Sequence, residues 1–476
     1  MKKIVSNILY QGVYQVLKIL LPIVTVPIVS KALGPEGIGT FNFVTSIVNM
    51  FIMACGLGLA TYGTREIALV QDDKEKLSKK FWELEWFNSI TVFFVLLVYF
   101  SVVFFLNDRI FYFVSILSIL GSLFDISWFY RGVEDFKKIT LADGFIKTVS
   151  FILIVLFVQQ KDDLIWYFII QTSNVLLSQL ILWMFIFKYI SFVKVSFKTT
   201  FSHLRPAASY FIGKIAIRIY TDLNKTVLGI FSTSTMVGFF SNSLQVSTIF
   251  RTLIGTFDAV LLPRVTNLTS KNSNKMTQVL SYAIDFQLFF SIPAMFGIMA
   301  TNRQIIDWFF GPEFEFIQHT TPWLSPLVII TPLGLLVLRL FLIPRNQIKS
   351  YNMSVIFGAI VSIVVNFLFT PIFHIWGTIA AILASESFVT IIRIIEVLRN
   401  SQYKFNYFLI LKYFVSGFLM YWIVVKTTGD LSSSIVTTLI QGIIGVVVYF
   451  ILTAIMNANP LLDILRKKDN IFDLLS

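Results

Sequence analysis

Cysteine, histidine and charge are all scarce in this sequence. Its 476 residues include one Cys and three His, and only 13% are charged. The single cysteine, Cys55, excludes an internal disulfide framework and a cysteine-rich metal site. The three histidines lie far apart in the chain, so we expect no histidine cluster, no metal site and no other cofactor. A soluble chain of this length carries about twice this charged fraction, which excludes the ordinary soluble class.

Sequence signals for enzymes are also missing. The chain has no phosphate-binding P-loop, so it carries no ATPase motif, and no nucleophile–base pattern is recognisable. The longest predicted outer loop, 303–320, is too short to hold a polymerase or glycosyltransferase site. Basic tracts interleaved with aromatic residues, which would stack on bases, are absent. We therefore predict that the protein is not an enzyme and does not bind nucleic acid.

Long apolar runs dominate what is present. Hydrophobic residues make up 56% of the chain, 50 of them Phe, and the mean hydropathy is +0.79. The runs recur at about 20 residues, enough for a helix to cross roughly 30 Å of hydrocarbon. Backbone groups in lipid must be satisfied within the segment, so the runs are helices. The predicted fold class is all-α, a polytopic transmembrane bundle. The predicted spans are 8–30, 41–64, 84–105, 110–130, 139–158, 164–187, 207–230, 236–260, 279–301, 321–344, 353–372, 376–398, 407–425 and 434–457.

The distribution of Lys and Arg predicts the orientation of these fourteen spans. With the N-terminus inside, most of the 38 basic residues fall in cytoplasmic segments. The predicted outer loops hold only Lys31, Arg109, Lys161, Arg303 and Lys426. We therefore expect a multi-pass protein of the bacterial cytoplasmic (inner) membrane with both termini cytoplasmic. The net charge of +12 then reflects topology.

A faint internal repeat predicts the domain organisation. Gly39-Thr40-Phe41-Asn42 enters the second span, and Gly238-Phe239-Phe240-Ser241 enters the eighth. This spacing favours two pseudo-symmetric six-helix lobes, 1–190 and 207–400, around a central cavity. Two additional transmembrane helices and a tail then occupy 407–476. Transporters built from such repeats bind substrate at the repeat interface.

Ionisable residues inside the predicted spans are candidates for a functional role, because inserting each one into the membrane costs about 2.5–3.5 kcal/mol. In the seventh span Lys214, Arg218, Asp222 and Lys225 share one helical face. An ion pair between Arg218 and Asp222 is the structural alternative, but the cations outnumber the acid. Excess positive charge favours a hydrated cavity that receives an anionic substrate.

The first span carries a similar polar stripe. Asn7, Gln11, Gln15 and Lys18 lie on one face of the predicted helix. Such a stripe can hold two helices together, whereas its cationic end favours a wet cavity. We predict that these residues line the cavity.

Four further in-span residues complete the candidate site. Arg251 and Arg339 are cations that we assign, with those above, to substrate binding. Asp285 and Glu386 are isolated acids in the middle of their spans. Either they bind a proton or Na⁺, as Asp222 could, or they neutralise the excess cations.

Several motifs resemble those of polysaccharide-repeat exporters. They are Leu33-Gly34-Pro35-Glu36-Gly37-Ile38-Gly39, Gly56-Leu57-Gly58, Tyr62-Gly63-Thr64-Arg65-Glu66-Ile67-Ala68, Trp128-Phe129-Tyr130-Arg131-Gly132-Val133-Glu134-Asp135-Phe136, Leu228-Gly229 and Phe310-Gly311-Pro312-Glu313-Phe314. On these motifs the chain resembles a Wzx-type flippase of the multidrug/oligosaccharidyl-lipid/polysaccharide exporter superfamily. The resemblance covers most of the first two-thirds of the sequence.

The resemblance implies a function for the predicted bundle. Two lobes would form a V-shaped cavity that opens alternately to each side of the membrane. The substrate would be an oligosaccharide linked to undecaprenyl diphosphate, and the surrounding membrane lipids would also contact the protein. Transport would be coupled to a gradient of H⁺ or Na⁺. A polysaccharide polymerase would be a candidate partner.

Two kinds of alternative remain open at this point. One is a different cargo within the same superfamily, either a peptidoglycan precursor or drugs. The excess of in-span cations disfavours an exporter of organic cations. The other alternative is a membrane enzyme such as a polysaccharide polymerase, which the short outer loops disfavour.

Overall fold

The protein is described by a computed structural model that covers residues 2–269 and 273–462. Side chains are described for 20–209, 211, 221–256 and 276–462. All regular structure in these ranges is helical, as the apolar runs predict. The fold class expected from the sequence is confirmed.

The chain forms two compact units, Met1–Thr226 and Val227–Ser476. The first unit contains eight helices and most of a ninth among the described residues. They are α1 (Lys2–Gly56), α2 (Leu59–Ala68), α3 (Lys74–Val103), α4 (Arg109–Leu123), α5 (Ser127–Gly132), α6 (Phe136–Phe157), α7 (Leu164–Ile186), α8 (Phe197–Ser202) and α9 (Leu204–Phe231).

The second unit contains the remaining described helices. They are α10 (Ser234–Thr269), α11 (Ser273–Phe309), α12 (Ile317–Leu324), α13 (Leu327–Val337), α14 (Ile348–Phe373), α15 (Ile375–Asn400), α16 (Tyr407–Thr428) and α17 (Ile435–Ile455). Helix α13 continues directly as a π-helix over Leu338–Leu342. Helices α16 and α17 both pack against α11. The three-part domain division of the sequence analysis stays a prediction.

Eleven segments among the described side chains are long and apolar enough to cross a membrane. The first, Leu20–Ala68, spans α1 and α2 and contains parts of two predicted spans. The protein is therefore a multi-pass membrane protein. The count of fourteen spans stays a prediction, because α9 and α10 contain stretches whose side chains lie outside the described residues.

The first predicted outer loop is much shorter in the structure than expected. Helix α1 runs through Pro22, Pro27 and Pro35, with one non-helical residue, Gly34, at φ 65° and ψ −178°. Glycine adopts this positive φ without a steric penalty. Pro35 then starts the next helical segment, where its fixed φ fits and its missing N–H is not needed. A single glycine therefore replaces the predicted loop at 31–40.

The predicted fourth span, 110–130, is broken in the structure. Helix α4 ends at Leu123 and α5 begins at Ser127. Hydropathy does not reveal this break, because apolar residues flank it on both sides. Interrupted helices inside a bilayer need side-chain partners for the backbone groups that they release.

The α14–α15 pair is a tight helical hairpin. Only His374, at φ 49°, separates the two helices. A stripe of small or polar residues faces α15 at intervals of four. Its members are Ser354, Gly358, Ser362, Asn366 and Thr370, all buried. A Cβ atom on Gly358 would lie 2.3 Å from Cγ2 of Val389, and one on Gly377 would lie 2.5 Å from the backbone of Phe369. The hairpin therefore depends on close backbone approach, as is common between membrane helices.

Candidate functional site

The structure describes half of the twelve predicted site side chains. Those described are Lys225, Arg251, Arg339, Asp222, Asp285 and Glu386. The side chains of Asn7, Gln11, Gln15, Lys18, Lys214 and Arg218 lie outside the described residues. The assignment of all twelve to one cavity stays a prediction.

Lys225 joins α9 to α1 within the first unit. Its Nζ donates a hydrogen bond to Oδ1 of Asn42 at 2.7 Å. One residue further on, the hydroxyl of Thr226 lies 2.8 Å from that of Ser46. Asp222, one turn earlier on α9, is close enough to interact electrostatically with Lys225. The amide of Asn42 orients the ammonium group but leaves its charge uncompensated, so Asp222 is the acid that moderates it.

In the second unit Arg251 joins two helices, α10 and α13, as Lys225 joins α9 to α1 in the first. One of its guanidinium nitrogens donates to Oγ1 of Thr248 at 2.7 Å, and another to Oγ1 of Thr331 on α13 at 3.3 Å. Glu386 of α15 is hydrogen-bonded to the same Thr331 and interacts electrostatically with Arg251. The structure thus brings together two residues, Arg251 and Glu386, that the sequence assigned to different roles.

A second buried arginine shares this carboxylate. Arg393 is 4% exposed and interacts electrostatically with Glu386. Its Nε donates to Oγ of Ser354 at 3.2 Å and its Nη1 to the carbonyl oxygen of Gly334 at 3.0 Å. Arg393 was not predicted as a site residue, because it lies near a predicted span end. Its distance of seven residues from Glu386, which places both on one helical face, is the signal that could have identified it.

Arg339 lies in the π-helix that follows α13. Its Nη1 donates to the carbonyl oxygen of Gly255 at 2.7 Å. Gly255 lies one turn beyond Arg251 on α10, so Arg339 binds the helix close to the position of Arg251. A π-helix widens the backbone and is frequent at functional sites.

Asp285 lies elsewhere in the second unit, on α11. It is close enough to interact electrostatically with Tyr403, a buried residue of the segment before α16. Burial, followed by the charge of Asp285, raises the pKa of the Tyr403 phenol. No hydrogen-bond partner within the described residues reaches the buried amide of Gln287 or the hydroxyl of Ser291, both on α11 near Asp285. Asp285 and Glu386 therefore have different surroundings. Among the described residues no cation acts electrostatically on Asp285, whereas two arginines act on Glu386.

A polar cluster at one end of the first unit was not predicted. His203, the C-cap residue of α8, is 4% exposed, and its Nδ1 lies 2.7 Å from the hydroxyl of Tyr62. Its Nε2 lies 3.4 Å from Oε2 of Glu83, which also pairs with Lys80 at 3.3 Å. Burial, with the charge of Lys80, lowers the pKa of His203 despite the acids nearby. The imidazole is therefore neutral at pH 7 and connects α8 to α2 and α3.

The described residues contain no group of three or more His, Cys, Asp or Glu side chains that could hold a metal ion. What the geometry offers is a set of cations fixed inside membrane helices. Arg251 and Arg393 interact electrostatically with Glu386, and Arg339 and Arg393 also donate to backbone carbonyl oxygens. Such an arrangement can attract an anionic group and orient it by hydrogen bonds.

The sequence matches a protein family and curated relatives whose descriptions all concern polysaccharide or glycan biosynthesis or transport. The family described as polysaccharide biosynthesis protein matches residues 4–269. A protein of Escherichia coli K12 named as an O-antigen transporter is 24% identical over 405 residues, 83% of this chain and 96% of the relative. A Haloferax volcanii protein named as a low-salt glycan biosynthesis flippase is 24% identical over 218 residues, 46% of each chain.

Solved structures share the fold. The lipid II flippase MurJ, in an inward closed conformation, superposes with a TM-score of 0.67 at 17% identity, over 95% of this chain and 98% of MurJ. An inward-facing multidrug resistance transporter of the MATE family superposes with a TM-score of 0.60 at 15% identity, over 88% and 99%. At these identities the likeness concerns the fold. Since the family match alone covers more than half of the sequence, the chain belongs to the polysaccharide biosynthesis protein family, and the resemblance predicted from its motifs is confirmed.

Proposed function

We propose that this protein is a flippase for lipid-linked oligosaccharides. It moves one repeat unit on undecaprenyl diphosphate from the inner to the outer leaflet of the cytoplasmic membrane by alternating access. Membership of the polysaccharide biosynthesis family carries the proposal, together with relatives named as an O-antigen transporter and a glycan flippase. A polysaccharide polymerase that uses the delivered unit is the partner that this function implies.

The fixed cations supply a physical reason for this cargo. A diphosphate must cross about 30 Å of hydrocarbon with its sugars attached. Fixed positive charge lowers that barrier by direct attraction, most strongly where the local dielectric is low. Lys225, Arg251 and Arg339, with Lys18, Lys214 and Arg218, are the proposed contacts to the diphosphate. Asn7, Gln11 and Gln15 are the proposed contacts to its polar groups.

We assign the energy source to a proton or sodium gradient. Asp222, Asp285 and Glu386 are the acids proposed for coupling. Glu386 interacts electrostatically with two arginines, which favours a role as their counter-charge. Among the described residues no arginine acts electrostatically on Asp285, which favours it over Glu386 as a group that exchanges an ion.

Two other cargoes fit the same fold, and one is disfavoured by charge. The superposition on MurJ keeps a peptidoglycan precursor, which is also an anionic lipid-linked sugar, as the second candidate. A multidrug exporter of organic cations is disfavoured, because cations fixed within the spans would repel its substrate.

Deletion of the gene tests the cargo. We expect a lipid-linked oligosaccharide to accumulate on the inner leaflet, with loss of the corresponding surface polysaccharide and restoration by the wild-type gene. Extracted lipids analysed by mass spectrometry identify the accumulated species. Accumulation of the peptidoglycan precursor instead would favour the second candidate, and accumulation of neither would overturn the proposal.

Cysteine labelling tests the proposed orientation, with both termini cytoplasmic. Cys55 is fully buried, so the native protein should take up little label and introduced cysteines can be detected. Lys76 and Asp162 are exposed at opposite ends of the first unit's spans. On intact cells, a membrane-impermeant maleimide should label Asp162→Cys and leave Lys76→Cys unlabelled until the membrane is opened. The reverse pattern would invert the orientation, and the unsubstituted protein serves as the control.

A further inference from the structure

The break between α4 and α5 in the first unit is held by side chains from two neighbouring helices. Asn88 of α3 donates its amide N–H groups to the carbonyl oxygens of Ser122 and Leu123, at 3.0 and 3.1 Å. The indole of Trp183 on α7 donates to the carbonyl of Phe124 at 2.9 Å. The break is therefore a built feature of this membrane segment, with most of its released acceptors already bonded.

Two more side chains complete the break. The indole of Trp128 donates to the carbonyl of Asp125 at 2.8 Å. Oε1 of Gln179 accepts from the N–H of Ile126 at 3.2 Å. The carboxylate of Asp125 itself accepts from the N–H of Ser127 at 2.9 Å, which fixes its position at the start of α5.

A second carboxyl group, that of Glu85, lies near Asp125 of this break. It lies three residues before Asn88 on α3, so both side chains share one helical face. Glu85 is 5% exposed, and its Oε2 has no hydrogen-bond partner among the described residues. Asp125 is close enough to interact with it electrostatically. A buried carboxyl oxygen with no hydrogen-bond partner among the described residues thus belongs to a side chain that lies near another acid.

Among the described charged groups, Asp125 is the one that acts electrostatically on Glu85. On α3, Glu83 is engaged by Lys80 and His203. On α2, Glu66 pairs with the same Lys80 at 3.7 Å. The cations of α2 and α5, Arg65 and Arg131, are both exposed, and α7 has no charged residue over its length. The C-terminal end of α4 adds partial negative charge at the same place.

Electrostatics then restricts what the pair can hold. Glu85 is buried and Asp125 is partly buried, so without a counter-charge each carboxylate disfavours ionisation of the other. A sodium ion would need several more oxygen ligands, yet the carbonyls of residues 122–125 already accept hydrogen bonds from side chains. A proton needs only the carboxyl oxygens.

We propose that Glu85 and Asp125 form a proton-binding site at the α4–α5 break, with one proton held mainly on Glu85. In the proposed flippase this site would exchange a proton during the transport cycle, so its role in coupling rests on the proposed function. Proton binding itself does not depend on the cargo and can be measured without it.

Infrared difference spectroscopy of the full-length protein in lipid nanodiscs tests the site. Between acidic and alkaline buffer, the wild type should show the carbonyl stretch of a buried protonated carboxyl group that is lost as the pH rises. Glu85→Gln should weaken that band, and only a part contributed by acids elsewhere in the protein, such as the partly buried Asp285, should remain. Asp125→Asn should retain it but let Glu85 ionise at lower pH, because the neighbouring negative charge is gone. Glu75→Gln, the same change at an exposed position of α3, is the matched control and should leave the band unaltered.

Two results would overturn the proposal. The band could keep its full wild-type intensity in Glu85→Gln, which would place the protonated acid elsewhere. It could also disappear on addition of sodium chloride at constant pH, which would indicate a sodium site. A wild-type protein that shows the band but moves no lipid-linked saccharide would refute the proposed function and leave the proton site standing. A protein that transports the lipid-linked saccharide but shows no band would refute the proton site and leave the proposed function standing.

Discussion

Lys225→Gln should reduce export of the lipid-linked saccharide by roughly 10- to 150-fold. Hydrogen bonds to charged groups contribute about 1.5–3 kcal/mol, and this range in a barrier corresponds to that range in rate. Glutamine retains an N–H donor for Asn42, so the helix contact is largely preserved while the charge is lost. Lys225→Arg keeps the charge and should retain part of the export. Surface polysaccharide per cell in a deletion strain is the measurement.

Lys412→Gln provides the matched control for that experiment. Lys412 is also a membrane-helix lysine, but its Nζ donates to the carbonyl of Met456 at 2.7 Å and lies over the ring of Phe408. It is not among the proposed substrate contacts, so export should remain close to wild type. If Lys225→Gln exports normally, or loses export only in proportion to a lower protein level, Lys225 is a structural residue and not a substrate contact.

Arg393→Ala should destabilise the second unit by about 1–3 kcal/mol, the usual cost of leaving buried acceptors without their hydrogen-bond donor. The substitution leaves Glu386 with less compensation and removes the donors to Ser354 and Gly334. Thermal unfolding of the detergent-purified protein, followed by tryptophan fluorescence, measures the effect. Adding Glu386→Gln should recover part of the loss, because the buried acid then no longer carries a charge.

The exposed Arg399 is the control for this second experiment. It lies in the last turn of the same helix, α15, and Arg399→Ala should change the unfolding temperature little. An Arg393→Ala protein that unfolds at the wild-type temperature would show that Glu386 is neutralised by Arg251 alone, or is itself protonated.

Hydropathy predicted the fold class well because the bilayer imposes it. Each apolar run must satisfy its own backbone, and a helix is the way to do so. The same signal does not show where such a helix stops and restarts. Gly34 interrupts α1 over one residue, and Phe124–Ile126 separate α4 from α5. These breaks depend on partners such as Asn88, which is distant in sequence, so no local pattern identifies them.

The candidate site was predictable only where charge stands out against apolar sequence. Arg251 and Glu386 were selected on that basis, and the structure places them around one threonine. Their opposite roles could not be assigned, because pairing across α10 and α15 is a tertiary property. Arg393 and Glu85 were missed since each lies near a predicted span boundary, where a charge is ordinarily solvated. Burial, which only the packed helices define, distinguishes them.

The α14–α15 hairpin has a consequence for biosynthesis. One residue, His374, joins the two helices, and close contacts at Gly358 and Gly377 require the backbones to approach each other. Because the connection is one residue long, we expect that α14 does not insert into lipid separately while α15 is still being synthesised. The pair must therefore leave the translocation channel as one unit, with its polar stripe already covered. A residue larger than glycine at position 377 would then act at the ribosome-bound stage, before any transport cycle begins.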